Sequence, residues 1–148
     1  MEQTKTKNCE MIEQLYKNVK MGSDSIIKLM SKISDGNFKT ELTNQLNGYE
    51  KFASQAKDML HLEGIEAKEE NVMTKMWASI GMTMNTLTDS SDSHIAQMVV
   101  EGSTMGVTDT IKLLREYENT DVSEKTLALA REIIKFEEEN IEKMKSHI

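Results

Sequence analysis

The chain contains no proline, and only seven of its 148 residues are glycine. Helix interiors tolerate neither residue well, so a sequence this poor in both reads as mostly helix. Aromatic residues make up 5%, which leaves the filling of a core to aliphatic side chains and methionine. Cys9 is the one cysteine. No internal disulfide can form from it, and a lone thiol fits a reducing compartment. Basic residues are outnumbered, 18 Lys and Arg against 25 Asp and Glu, for a net charge of −7. That balance argues against nucleic acid and anionic membrane as partners, and no basic stripe with interleaved aromatics runs along the chain. No apolar run approaches the roughly 20 residues a membrane span needs. The first ten residues, MEQTKTKNCE, lack the apolar core of a signal peptide. The expectation is a cytoplasmic protein with no nucleic-acid and no membrane partner.

Hydrophobic residues at 38% and charged residues at 29% are ordinary for a folded globular chain. A length of 148 residues is enough to bury a core without disulfides, so residues 1–148 read as a single domain. Twelve methionines are many. Flexible thioether side chains fill irregular gaps between helices, so their ordinary role is packing.

The apolar spacing predicts four long helices. Ile12, Val19, Ile26 and Ile33 recur at sevens over about 3–33, the stripe of a helix in a bundle, interrupted at Gly22 and Ser23. Asp35-Gly36-Asn37 reads as a sharp turn, with a positive-φ residue and an N-cap. A second helix spans about 38–63, its stripe including Leu42, Tyr49, Phe52 and Leu60, with Gly64 as its stop. A third spans about 94–117, capped by Asp92 or Ser93, and a fourth about 123–147, capped by Asp121 or Ser123. Between the second and third, Val72, Met76, Ile80 and Leu87 predict a shorter amphipathic helix over Asn71–Leu87, anchored by Trp77.

A weak internal repeat supports this plan. Shifted by 84 residues, Gly22-x4-Ile27-Lys28-Leu29 falls on Gly106-x4-Ile111-Lys112-Leu113, and Lys51-Phe52 falls on Lys135-Phe136. One helical hairpin occurs twice. Two short turns make two antiparallel hairpins, and a 29-residue connection is long enough to run the bundle length, so helix 3 starts parallel to helix 2. The expected fold class is all-α, a ferritin-like four-helix bundle with a short helix in the crossover between helices 2 and 3.

A di-metal centre in such a bundle takes a Glu from each of two helices and a Glu-x-x-His from each of the other two. No Glu-x-x-His occurs in this chain. Helices 1 and 3 carry Ser23 and Ser103 at mid-height, helix 2 carries Tyr49-x-x-Phe52, and helix 4 carries Ile134-x-x-Glu137. Glu137 continues an apolar stripe and would need a partner, a proton or a metal if it faced inward. Its ordinary reading is at the stripe's edge, solvated beside Glu138 and Glu139 and near Lys135 or Lys143. Glu50 and Glu101 join it as metal candidates only if the bundle turns them inward. Asp58-x-x-His61 lies in a last helical turn, where the helix dipole accounts for a histidine without metal. Gly22, Gly102 and Gly106 allow a close backbone approach or a ligand. No nucleophile triad or phosphate loop is spelled by local spacing, so no catalytic and no cofactor-binding residue is assigned.

The helix plan, the Gly22-Ser23 and Gly102-Ser103 positions, the Tyr49-x-x-Phe52-Ala53 run and Trp77 resemble a bacterial ferritin-like family of uncharacterised four-helix-bundle proteins. In those relatives Gly-Glu tends to stand where this chain has Gly22-Ser23 and Gly102-Ser103. The resemblance therefore implies the fold with its metal ligands lost, and a fold does not by itself carry an activity. The expected function is a non-catalytic binding or structural protein acting as a homodimer, with the Met73–Trp77 edge or Met82 and Met84 as contact candidates. The alternative is a degenerate iron or manganese protein, or an oxidoreductase, using Glu50, Glu101 and Glu137.

Overall fold

The architecture was described from a computed structural model, in which residues 5–67 and 91–148 are described. The expected crossover helix at 71–87, with Met73, Trp77, Met82 and Met84, lies outside the described residues. Within them the chain is helical, without strands: α1 (Lys7–Met30), α2 (Gly36–Leu62), α3 (Asp92–Tyr117) and α4 (Glu124–Met144), closed by a 3₁₀ turn at Lys145–His147.

Each long helix begins on a side-chain cap. Thr6, Asp35, Ser91 and Ser123 sit in extended backbone and accept hydrogen bonds from the N–H groups of Cys9, Phe38, His94 and Thr126. These oxygens satisfy amides that have no partner inside the helix. Ser123 was one of the two expected caps of α4. For α3 the cap is Ser91, one residue before the expected pair, and Asp92 is released for another task described below. The apolar stripe of α1 is interrupted at Gly22-Ser23 as expected, with Ser23 buried, while the helix itself continues through both residues. Gly36 is not the positive-φ residue of the first turn. It enters α2 as its first residue, since Asp35 caps the helix and the Lys32 and Ile33 amides bond back to Leu29 and Met30. Positive φ is found instead at Gly64, at 76°, where α2 stops as the sequence predicts.

Contacts between helix ends fix the directions. α1 packs most closely on α2 and α3 on α4, and α1 also packs along α3. Asp92, at the start of α3, accepts hydrogen bonds from the Ser34 and Asp35 amides, at 3.0 and 2.8 Å, in the turn between α1 and α2. Asn8, at the start of α1, accepts from the Ser123 amide and the Thr126 hydroxyl, at 3.1 and 2.8 Å, at the start of α4. His147 stacks on Phe38 with ring centroids 4.8 Å apart. Hence α1 and α4 run one way, α2 and α3 the other. α2 ends at the pole opposite to the one where α3 begins.

The four helices enclose one core in which Phe38, Met11, Leu15, Leu42, Leu60 and Ile133 are fully buried. Burying a side chain of that size contributes roughly 1.5–3 kcal/mol. The two hairpins meet where the repeat predicts an equivalent pair. Phe52 and Phe136, related by the 84-residue shift, touch edge to face at 5.3 Å between ring centroids.

Candidate functional site

Inward positions of the helices follow a three-and-four spacing, and at mid-height that stripe turns polar. On α4 it reads Ala130, Ile133, Glu137, Asn140, Met144, all buried; on α2, Phe38, Leu42, Gln45, Tyr49, Ala56, Leu60. α1 and α3 contribute Ser23 and Ser103, exposed by only 2% and 5%. Glu137 is therefore not at the stripe's edge among solvated glutamates. It is 4% exposed, because its spacing from Ile133 and Asn140 puts it on the innermost line of the helix.

Two glycines make room for this layer. A side-chain carbon on Gly106 would overlap the Glu137 carboxylate, and one on Gly22 would come within 2.6 Å of the Tyr49 ring. The two large side chains they admit are joined. The Tyr49 hydroxyl donates to Glu137 Oε2 at 2.8 Å, a buried bond across 88 residues of sequence. The Tyr49 ring packs edge-on against Phe136 at 5.0 Å between ring centroids.

Burial dominates the electrostatics. Desolvation lifts the Glu137 carboxyl from the ordinary 4.5 to about 8; the Tyr49 hydrogen bond opposes the rise and the nearby charge of Asp109 adds to it. At neutral pH Glu137 is mostly protonated, which is how it can be buried without a counter-ion. Tyr49 is raised well above its usual value, first by burial and then by Glu137, and remains a phenol.

Above this pair a cleft of about 250 Å³ opens between α1 and α3. Met21, Ile26 and Leu29 form one wall and Met98, Val99 and Met105 the other, while Tyr49, Ser103 and Glu137 lie at the base. Gly22, Gly102 and Gly106 all line it, so the three small positions singled out in the sequence converge on one space. Asn18 reaches the same cleft with its amide nitrogen buried and without a hydrogen-bond partner among the described residues. Asp109 lines it too and is itself exposed.

The other two carboxylate candidates do not join Glu137. Glu50 and Glu101 are both exposed, as are Asp58 and His61. Among the described residues no group of three His, Cys, Asp or Glu side chains could hold a metal ion. One protonated carboxyl bonded to a phenol, beside serine hydroxyls and thioethers, does not fit a centre of two metals, each of which needs several ionised or imidazole ligands. Gln45 and Asn140 belong to the buried layer and escape a reading by apolar stripes. Counting polar residues at the three-and-four spacing would have found them.

The described residues thus define an all-helical protein of four long helices around a polar middle layer, and none of those helices is long and apolar enough to cross a membrane. No protein-family model matches the sequence, and no curated protein does. Among solved structures it is similar to a conserved hypothetical protein, rv2844, from Mycobacterium tuberculosis. The TM-score is 0.69 at 12% identity, over 98% of this chain and 100% of that one. At that identity the likeness speaks for the fold alone.

Proposed function

We propose that this chain is a ferritin-like bundle whose mid-height, the level of a di-metal centre in such folds, serves instead as a binding site for a small organic molecule. The opposed helix directions, with α2 ending at the pole opposite to the one where α3 begins, support the ferritin-like reading. The observation that carries the binding reading is the cleft between α1 and α3, apolar on its walls, with convergent polar groups and a perturbed carboxyl at its base. Among the described residues the layer pairs no nucleophile with an ionised base, which supports binding rather than catalysis. The protein would work in the cytoplasm, its Cys9 buried and reduced, as a homodimer; light scattering giving the mass of one chain would remove the dimer.

The binding reading is tested with the methionines. With ¹³C-labelled methyl groups, n-pentanol should shift the Met21, Met98 and Met105 signals together and saturably. Titration of Fe²⁺ or Mn²⁺ under anaerobic conditions should leave them unmoved. Stoichiometric metal retention that depends on Glu137 would replace this reading with the degenerate metal protein.

A further inference from the structure

We propose that the cleft selects a small organic cation, a primary ammonium on a short hydrocarbon chain, with its head against Glu137 and Tyr49. This inference rests on the cleft being a binding site, and it adds the charge and shape of the occupant.

Charge complementarity decides the sign. Among the described residues the cleft is lined by two carboxyl side chains, Asp109 and Glu137, and by no lysine, arginine or histidine. The polar groups that share the cleft with Glu137 are few on each described helix. α1 brings Asn18 and Ser25, α2 brings Tyr49, α3 brings Ser103 and Asp109. An anionic ligand would meet negative charge with no cation to offset it. A cation would meet an exposed carboxylate in Asp109 and a buried carboxyl in Glu137. An ammonium has three N–H donors, and Glu137, Tyr49 and Ser103 at the base offer oxygen acceptors. The phenol ring and the thioethers of the walls are polarizable surfaces that suit a cation and its hydrocarbon chain.

The volume sets the size. An apolar cavity of about 150 Å³ accommodates benzene, and pockets for drug-sized ligands begin near about 300 Å³. At about 250 Å³ the cleft has room for an occupant larger than benzene and smaller than a drug-sized ligand, a short hydrocarbon chain with its head group.

Binding has a proton cost that can be measured. The ligand arrives as R–NH₃⁺ and leaves as R–NH₃⁺, while Glu137 gives its proton to solvent and becomes the paired carboxylate. With Glu137 near 8 and alkylammonium near about 10, affinity rises with pH up to about 8 and is level just above it.

Calorimetry with n-butylammonium from pH 6.5 to 9, in buffers of differing ionisation heat, tests this. The expected result is saturable binding, release of close to one proton per ligand at pH 7, and an affinity falling toward tenfold per pH unit below the Glu137 midpoint. Glu137→Gln, which keeps the shape and can still accept from Tyr49, should weaken binding about tenfold or more and abolish the pH dependence. Asp109→Asn, an exposed change that leaves the fold intact, should weaken it only about twofold and make it less sensitive to salt. If n-pentanol or pentanoate shifts the three methionine methyls and n-butylammonium does not, the cation inference falls and the binding cleft stands. If none of the three probes moves them, both fall.

Discussion

The two hairpins solve one packing problem with different chemistry. In each, a glycine of the first helix, Gly22 or Gly106, opens a seat that a large side chain of the second helix fills. The first hairpin fills it with a phenol, Tyr49, and the second with a carboxyl, Glu137, set one turn further along its helix than the repeat would place it. Under the 84-residue shift Tyr49 corresponds to Ile133, which is buried and apolar. The backbone plan is therefore near-symmetric, while the middle layer is not. Because the halves differ, the two side chains form a donor–acceptor pair across the bundle instead of two like groups in opposition.

The largest way to break that relation is to ionise its acidic half. Glu137 has a folded-state pKa above its unfolded value, so its contribution to stability is complete below about 4.5 and is lost as pH rises to about 8. Denaturant unfolding should show stability declining by up to about 1.4 kcal/mol per pH unit inside that window and levelling off above it. Glu137→Gln should remove this component of the slope. A slope unchanged in the variant would show that the acid is not buried as a neutral group. Removing the donor comes next. Tyr49→Phe should cost about 1–3 kcal/mol, since a buried carboxyl loses its partner, and should move the Glu137 midpoint upward when followed by NMR. The seats themselves rank third, and unequally. Gly22→Ala confronts a rigid ring, at a cost of about 1–3 kcal/mol before the roughly 1 kcal/mol gain in helix propensity. Gly106→Ala meets the far end of a glutamate that can swing, so thermal unfolding should show the smaller loss, with the Glu137 midpoint falling as the carboxyl is pushed toward water. Equal losses would mean that Glu137 is held as firmly as Tyr49. The smallest effect is at the edge of the bundle, where Asp92→Ala should cost about 1 kcal/mol or less through its two exposed hydrogen bonds.

Much of the helical plan was legible because it depends on local rules. Apolar spacing, glycine and polar caps placed all four described helices within a few residues of their observed ends, and the 84-residue repeat anticipated that Phe52 and Phe136 would occupy related places. Helix rotation was harder to read. Glu137 and Glu50 are both acidic residues flanking an apolar stripe, and a few tens of degrees decide which is buried. Ile133 and Asn140 supply that angle for Glu137, but a polar Asn140 is easily passed over when only apolar residues are counted. The cleft was the least legible feature, since it is made by α1 and α3, distant in sequence, and by methionines whose ordinary role is packing.

Asp92 offers a view of how the halves separate. Its carboxylate occupies the amides of Ser34 and Asp35, which belong to the other hairpin. Those two amides are held by exposed hydrogen bonds to a side chain of the other hairpin, so their protons are released as soon as the hairpins part, whereas amides within α1 or α2 wait for their own helix to unwind. If the halves come apart while each hairpin stays folded, Ser34 and Asp35 exchange first and the helical amides beside them later. If the bundle opens only as a whole, all of them share one rate. The turn is thus a gauge of whether the two hairpins open at the seam between them.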